Sequence, residues 1–138
     1  MDKFLCIDIG GTAIKYGVLD ECGLFLETAE RPTQAWKGGK GILEKLKNIG
    51  DECLSRHNIS GICISTAGMV DCEEGRITHS APLIPDYAGT ELKRTMEEWF
   101  CIPCEVENDV NCAGLAECLA GAARGCSTAV CITIGTGI

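Results

Sequence analysis

Two glycine-containing turns have the composition of phosphate-binding loops, and each follows an apolar segment. The first is Asp8–Lys15, which reads Asp-Ile-Gly-Gly-Thr-Ala-Ile-Lys, and the second is Gly135–Gly137, which reads Gly-Thr-Gly. Glycines let backbone N–H groups approach an anion closely, and threonine adds a hydroxyl donor. The first turn alone is explained as well by an ordinary Gly-Gly hairpin turn. Both turns together favour a nucleotide whose phosphates are held between lobes.

The segment Glu107–Asn111 reads Glu-Asn-Asp-Val-Asn and stands where a short predicted strand gives way to a helix. In α/β folds, ligands bind at the carboxyl ends of strands. Asn108 and Asp109 are suited to orient a polyhydroxylated ligand, with Asp109 accepting a hydroxyl proton as the oxygen attacks phosphorus. Asn and Asp are also preferred helix caps, and capping explains both residues without any chemistry.

The elements that must position these residues follow from hydrophobic periodicity. Apolar runs at Phe4–Ile9, Ala13–Leu19 and Leu24–Ala29, separated by glycine-containing turns, predict an antiparallel meander. A helix is predicted next, because four apolar residues recur at helical spacing: Ile42, Leu46, Ile49 and Cys53. The run Ile59–Ser65 then predicts a strand that is buried on both faces and parallel to the first.

In the rest of the chain, predicted helices continue to alternate with predicted strands. The predicted elements are a long functional loop at Thr66–Gly89, a helix from a cap at Thr90 to Phe100 that Pro103 ends, a strand at Glu105–Glu107, a thin helix from Asn108 to about Gly121, and a last strand at Thr128–Ile134. This order predicts an α/β fold: a mixed sheet with three antiparallel hairpin strands plus parallel strands, and helices on both faces. An apolar strand with nothing after it would leave a sheet edge uncovered, so we expect the chain to end within a domain.

Composition excludes several function classes. The 138 residues include 20 acidic and 12 basic side chains, and this net charge of −8 argues against nucleic acid as the primary partner. No apolar stretch approaches the roughly 20 residues that span a bilayer, and no signal peptide is recognisable. The 11 cysteines are an odd number, and we expect a cytoplasmic protein with reduced thiols. We expect Cys6, Cys63 and Cys131, which lie in apolar runs, to be small buried hydrophobes.

Three segments, in the order in which they occur along the chain, resemble motifs of one family. Asp8–Lys15 resembles its first phosphate loop, Glu107–Asn111 with Ala113 and Glu117 its Asn-Asp sugar and catalytic motif, and Ile134–Ile138 its second phosphate loop. The family is ROK (repressor, open reading frame, kinase), which comprises sugar kinases and related repressors on the actin-like, ribonuclease H-like ATPase fold. The resemblance therefore implies the N-terminal lobe of an ATP-dependent kinase for a hexose or an N-acetylhexosamine.

The resemblance also implies roles for individual residues. Asp109 would be the general base and Asn108 a sugar ligand, and Asp8 would help to position Mg²⁺ through water. The residues that would line the ATP phosphates are Gly10, Gly11, Thr12 and Lys15 in the first loop and Gly135, Thr136 and Gly137 in the second. Gly68 would lie in a turn that approaches the sugar.

Two segments depart from the family pattern. The turn Ser65–Gly68 has Ala67-Gly68 where Pro-Gly is usual, and Ala81-Pro82-Leu83 stands where glucose-type members have Ala-Pro-Asn. The sugar therefore stays open between glucose, an N-acetylated hexosamine, fructose and a β-glucoside.

The family pattern divides the chain into two parts. Residues 1–123 would form the N-terminal lobe and residues 124–138 the start of a second lobe, which in the family supplies further sugar and adenosine contacts and a zinc site. We interpret Cys101 and Cys104 as structural, because no second pair completes a zinc site. We expect a homo-oligomer when complete and little activity from this chain alone. The alternatives are a ROK-type transcriptional regulator and a non-catalytic sugar-sensing module.

Overall fold

A five-stranded mixed sheet organises residues 1–135, which are the residues that this computed structural model describes. The strands of the chain are β1 (Lys3–Ile9), β2 (Ala13–Asp20), β3 (Phe25–Pro32), β4 (Gly61–Thr66), β5 (Met69–Asp71), β6 (Arg76–His79) and β7 (Cys104–Asn108). The large sheet has the order β3-β2-β1-β4-β7. Its first three strands pair antiparallel, whereas β4 is parallel to β1 and β7 is parallel to β4. The predicted mixed α/β sheet is therefore confirmed.

Two of the three helices within residues 1–135 cover one face of this sheet. The helices are α1 (Gly38–Arg56), α2 (Leu92–Phe100) and α3 (Asp109–Ala120), and a short 3₁₀ turn, Ala35–Lys37, precedes α1. The predicted stripe of α1 is confirmed, since its four residues are at most 1% exposed, and they join one core with alternate residues of the strands and with Leu92 and Met96 of α2. None of the described helices is both long and apolar enough to cross a membrane.

The start of α2 differs from the prediction, whereas its end at Phe100 agrees with it. Its N-cap is Glu91 rather than Thr90, and no side chain caps it. The helix ends before Pro103, because Cys101 takes a left-handed conformation with φ 53°. Trp99, in the last turn of α2, is 39% exposed.

The opposite face of the sheet is only partly covered. Helix α3 lies there against the ends of β4 and β7. Cys63 is exposed, and Cys6 and Cys131 are half-buried. The predictions that β4 is buried on both faces and that these three cysteines are buried are therefore wrong for the described residues. Cys6 and Cys63 are not buried because no element among residues 1–135 covers the middle of this face, and Cys131 lies outside the sheet.

The segment Thr66–Gly89 is more ordered than the predicted long loop. It contains the hairpin β5–β6, and it contributes Ile77, Ile84 and Tyr87 to the core. The two strands have three and four residues, which is too short for alternation to stand out in the sequence.

The predicted strand Thr128–Ile134 is absent. The described part of the segment pairs with no strand, and Val130, Ile132 and Ile134 are 85%, 68% and 81% exposed. Cys131 instead lies beside Gly114, where a Cβ added to the glycine would be 3.6 Å from the Cβ of the cysteine. An apolar run becomes a strand only when a partner satisfies its backbone groups, and none does so within residues 1–135.

Candidate functional site

The carboxyl ends of the parallel strands bring polar side chains to one row on the partly covered face. Asp8 of β1 pairs in register with Ser65 of β4, and Ser65 pairs with Glu107 of β7. On the other side, Asp8 pairs with Lys15 of β2. The Ser65 hydroxyl donates to Asp8 Oδ1 over 2.9 Å. This row therefore positions a carboxylate beside an exposed lysine where α/β folds bind ligands.

The β1–β2 turn, Gly10–Thr12, is held by a residue that the sequence did not single out. Thr33 follows β3 and is completely buried. Its Oγ1 donates to the Gly10 carbonyl over 2.6 Å, and its backbone N–H donates to the Thr12 carbonyl over 2.9 Å. The turn itself closes with a 3.0 Å bond from Gly10 N to the Ala13 carbonyl. The first predicted phosphate loop is thus a fixed turn at the surface, with Thr12 exposed.

Asn108 makes the hydrogen bonds of a helix cap and also ties down a second turn. Its Oδ1 accepts from the backbone N–H groups of Val110 and Asn111 over 3.0 and 3.3 Å, so it caps α3. Its Nδ2 donates to the Gly68 carbonyl over 2.6 Å. An amide nitrogen carries two hydrogens, and among residues 1–135 only one of them is used, so the other can meet a ligand hydroxyl.

Gly68 occupies a backbone position that other residues rarely adopt. Its φ is +97°, and a Cβ placed on it would lie 2.9 Å from the His79 carbonyl oxygen. This contact is too close for a real Cβ, so the turn between β4 and β5 requires glycine. The turn stands next to the start of α3 through its bond with Asn108.

Asp109 is the first residue of α3 and is half-buried. Its Oδ1 accepts from Val110 N over 2.9 Å. The N-terminus of a helix carries a partial positive charge, which stabilises a carboxylate at this position. Because one strand, β4, separates β7 from β1, the ends of the strands that lead to Asp109 and Asp8 lie about 10 Å apart.

Glu107 is a central hydrogen-bond acceptor of the site. It accepts from Cys72 Sγ over 3.0 Å, from Asn108 N over 2.6 Å and from Asn111 Nδ2 over 3.1 Å. Partial burial raises the pKa of Glu107, but these three hydrogen bonds outweigh it and the net shift is downward. The hydrogen bond between Cys72 and Glu107 also raises the pKa of the Cys72 thiol, to about 11. Glu107 therefore joins the β5–β6 hairpin to the start of α3.

The Cys112 thiol, in the first turn of α3, lies near acidic residues. Burial raises the pKa of this thiol, and the charges of Glu107, Asp8 and Asp109 raise it further, against a contact with Ser65 that lowers it. The register of β1, β4 and β7 places Asp8 and Glu107 on either side of Ser65, and Asp109 follows Glu107 by two residues. Carboxylates from β1, β7 and α3 are therefore close to this end of the sheet.

The loop after β6 lies beside the first turn. A Cβ added to Gly11 would lie 3.8 Å from the side chain of Leu83, which is 56% exposed. The loop is anchored in the core by Tyr87, whose hydroxyl lies 2.6 Å from Thr66 Oγ1. Burial raises the pKa of Tyr87 to about 12. The segment that departs from the family pattern, Ala81-Pro82-Leu83, therefore belongs to the surroundings of the site.

The donors in the site fit a magnesium ion better than a tightly ligated metal. Within residues 1–135, no group of three or more His, Cys, Asp or Glu side chains is arranged to hold a metal. Mg²⁺ is commonly bound by one or two carboxylates together with water and substrate phosphates, and Asp8 presents such a carboxylate. Cys104 is buried and Cys101 is exposed, and both are free thiols.

The second predicted phosphate loop lies largely outside the described residues. Gly135 is exposed and belongs to no strand, and Thr136 and Gly137 lie beyond the part of the chain that the structure describes. The structure thus brings together the predicted residues of the first turn, of the Gly68 turn and of the β7–α3 junction, and the role of Gly135–Gly137 stays a prediction.

Two known proteins match this chain in sequence over nearly its whole length. It is 55% identical over 138 residues to an uncharacterized protein of Clostridium perfringens, covering 100% of this chain and 47% of that protein. It is 36% identical over 137 residues to a β-glucoside kinase of Klebsiella pneumoniae, covering 99% of this chain and 44% of that enzyme. The chain thus spans less than half the length of these relatives.

A solved structure agrees with these matches. A ROK family glucokinase from Streptomyces griseus, in complex with glucose and AMPPNP, superposes with a TM-score of 0.78 at 32% identity, covering 89% of this chain and 38% of that one. The ROK family model matches residues 4–138, which is nearly the whole sequence. The chain therefore belongs to the ROK family, whose solved fold it shares.

Proposed function

We propose that the protein is an ATP-dependent sugar kinase of the cytoplasm that transfers the γ-phosphoryl group to a hydroxyl of a hexose or an N-acetylhexosamine. The observation that carries this proposal is the row Asp8–Ser65–Glu107 at the carboxyl ends of the parallel strands, with the Gly10–Thr12 turn after β1 and Asp109 at the start of α3. Phosphoryl transfer needs positioned charges and a base more than covalent chemistry. This geometry supplies positioned charges, and Asp109 is a carboxylate that would act as the base.

Asp109 is the proposed general base. Val110 N–H occupies its Oδ1, and Oδ2 is the oxygen proposed to accept the proton of the attacking sugar hydroxyl. A carboxylate fixed at a helix N-terminus keeps its direction during the reaction, which a base requires. The free N–H of Asn108 Nδ2 would orient a neighbouring hydroxyl, and the Gly68 turn, held by the same amide, would form one wall of the sugar site.

The phosphate end of the proposed site is the β1–β2 turn. Gly10, Gly11 and Thr12 would contact phosphate oxygens through backbone N–H groups and the threonine hydroxyl. Lys15 is exposed and stands opposite Asp8, so it would add positive charge there. Asp8 would hold Mg²⁺ through water, and a bound Mg²⁺ neutralises charge on the phosphates. Gly135, Thr136 and Gly137 are proposed to close the phosphate site from a second lobe.

The proposed division of the chain explains what the isolated 138 residues should do. Residues 1–123 would be the N-terminal lobe and residues 124–138 the start of the second, as in relatives more than twice as long. The remaining sugar, adenosine and zinc contacts, and a homo-oligomeric interface, are proposed to lie in that second lobe. We therefore expect the chain Met1–Ile138 to show little or no turnover.

The direct test is sugar-dependent ADP release by the complete gene product. The panel contains glucose, fructose, N-acetylglucosamine, N-acetylmannosamine and a β-glucoside such as cellobiose. At least one sugar should stimulate release, and Asp109→Asn should lower kcat about 100- to 10,000-fold, as loss of a general base does. Asp109→Asn keeps a residue that caps and starts helices, so sugar binding measured by calorimetry should be retained.

Three outcomes separate the alternatives. Retained sugar binding without ADP release from any sugar would contradict the kinase and favour a sensor or a transcriptional regulator. Equal loss of binding and folding in Asp109→Asn would reduce Asp109 to a structural residue. Full activity from residues 1–138 alone would contradict the proposed need for a second lobe.

A further inference from the structure

Cys6 and Cys63 stand opposite each other on β1 and β4, on the sheet face that α1 and α2 leave open. They are register partners in the parallel ladder, and both line one open cavity of about 830 Å³ beside α3. Neighbouring strands lie about 4.8 Å apart, and a disulfide joins Cα atoms about 4.4–6.8 Å apart. The backbone of the pair therefore already stands at a separation that a disulfide can span.

The neighbours in the same row leave the two thiols accessible. On the β2 side, the register partner of Cys6 is Gly17, which has no side chain. On the β7 side, the register partner of Cys63 is Glu105, whose carboxylate accepts from Lys93 Nζ over 2.8 Å. Within residues 1–135, Cys63 is exposed and Cys6 is half-buried, so a small reagent in the cavity formed by these residues reaches both sulfur atoms.

The two neighbouring thiols are chemically unequal. The contact with the Cys6 thiol lowers the pKa of Cys63, against the raising effects of burial and of the Glu105 charge. The same contact, together with burial, raises the pKa of Cys6. The pair therefore loses its first proton at Cys63, and the thiolate is the reactive form of cysteine.

We propose that Cys6 and Cys63 form a reversible dithiol–disulfide site that reacts with hydroperoxides. The Cys63 thiolate attacks one oxygen of hydrogen peroxide, the O–O bond breaks, and the departing hydroxide takes up a proton and leaves as water. The Cys6 thiol then attacks the sulfenic sulfur of Cys63, and its proton leaves with the hydroxyl as a second water. Two thiols are oxidised to one disulfide and one peroxide is reduced.

The position of the pair gives such a bond a structural consequence. Cys6 and Cys63 come two residues before Asp8 and Ser65 on the same strands and on the same face. A disulfide here would fix β1 to β4 directly before both strands reach the candidate site. Disulfides in reducing compartments are commonly transient and redox-sensing. The proposal goes beyond the kinase activity and does not depend on it.

The test is to map oxidation in the full chain. The reduced protein is treated with hydrogen peroxide at pH 7, quenched with N-ethylmaleimide, digested and analysed by mass spectrometry. We expect a Cys6–Cys63 linked peptide pair that dithiothreitol reverses. Before oxidation, Cys63 should react with iodoacetamide about fivefold faster than Cys22 or Cys101, because its thiolate is stabilised by Cys6. Cys104 should stay unmodified, since burial raises its pKa to about 12.

A matched variant separates the two steps. In Cys6→Ala, the reaction of Cys63 should stop at the sulfenic acid, which dimedone traps, whereas Cys22→Ala should leave the linked pair unchanged. Circular dichroism establishes that both variants fold. Oxidation of Cys22 and Cys101 without a Cys6–Cys63 link would overturn the proposal, and so would links spread evenly over the exposed cysteines. A Cys6→Ala protein whose Cys63 gives no dimedone adduct would also overturn it.

Discussion

The two faces of the five-stranded sheet are built from alternate residues of the same strands, and they have opposite properties. On one face, Ile7, Ile9 and Ile64 are at most 2% exposed beneath α1 and α2. On the other face, their sequence neighbours Asp8 and Cys63 are exposed and polar or reactive. The first face holds the fold together, and the second carries the groups that can do chemistry.

The difference shows how one strand serves two purposes. Burial of an aliphatic side chain contributes about 1.5–3 kcal/mol, so the covered face fixes the register of the strands. Because side chains alternate between faces, that register also determines which polar groups become neighbours on the other face. Core packing on the covered face therefore determines the pairs Asp8–Ser65 and Cys6–Cys63, although none of these side chains belongs to the core.

The largest effect on stability should come from the covered face. We expect Ile64→Ala to lower the free energy of unfolding by about 2–5 kcal/mol, because it leaves a cavity in the core. The adjacent change Cys63→Ala, on the other face, should cost less than about 1 kcal/mol. Urea unfolding followed by circular dichroism measures both. Equal losses would mean that the two faces are buried alike in solution.

A glycine at the site provides the next test, because its cost is local. Gly68→Ala should lower the free energy of unfolding by about 1–3 kcal/mol, since φ is +97° and the new Cβ meets the His79 carbonyl oxygen. Gly89→Ala is the matched control, with φ +86° and no atom within 4 Å of the added Cβ. It should cost less than Gly68→Ala. A control that costs as much would show that the close contact does not matter.

Thr33 connects the two faces, since it is buried but holds the exposed β1–β2 turn. Thr33→Val keeps the shape and removes the hydrogen bond to Gly10, so we expect a loss of about 1–2 kcal/mol. Amide hydrogen exchange in residues 10–12 should become faster. Thr28→Val, at an exposed position of β3, should change neither quantity. Unchanged exchange in Thr33→Val would contradict the anchoring role of this threonine.

The smallest effect is expected at the polar edge of the sheet, where Glu27 contacts Arg56 and His57 at the end of α1. Hydrogen bonds from Arg56 and His57 lower the pKa of Glu27 from 4.5 to about 2. This stabilisation is therefore complete above about pH 4.5 and is lost as the pH falls through about 2. Solvent screening limits it to about 1 kcal/mol.

Two substitutions test the contribution of Glu27 to the stability of the protein. Glu27→Gln should be less stable than the parent at pH 7, and the difference should shrink as the pH is lowered toward 2. Glu30→Gln, three residues further along the same strand and exposed, should change the free energy of unfolding at pH 7 by less than about 0.5 kcal/mol. A constant difference between parent and Glu27→Gln from pH 7 to pH 2 would contradict the pKa assignment.

The sequence predicted the long elements because their patterns are long. Strand β2 has eight residues and α1 has 19, so alternation and helical spacing repeat several times. The hairpin β5–β6 escaped prediction because three or four residues carry no such repeat. The apolar run Thr128–Ile134 was wrongly predicted to be a strand, because apolar composition does not reveal whether a neighbouring strand is present to pair with it.

The candidate site was predictable to a similar degree. The Asn-Asp pair and the glycine turns were recognisable by residue type, and the structure adds that Asn108 caps α3 and holds Gly68 with the same side chain. Thr33 and Cys72 were not recognisable. Their partners, Gly10 and Glu107, are 23 and 35 residues away, and no local pattern encodes such contacts.

By itself, the sequence determined the mixed α/β architecture, the resemblance to the ROK family and the residue types at the strand ends, because these depend on local patterns and motif order. The tertiary structure alone decided which of these residues meet. The pairing of β1, β4 and β7 in parallel register aligned Asp8 with Ser65 and Ser65 with Glu107. Register is set by long-range packing of the apolar face, and a shift of one residue would turn every one of these side chains to the other side.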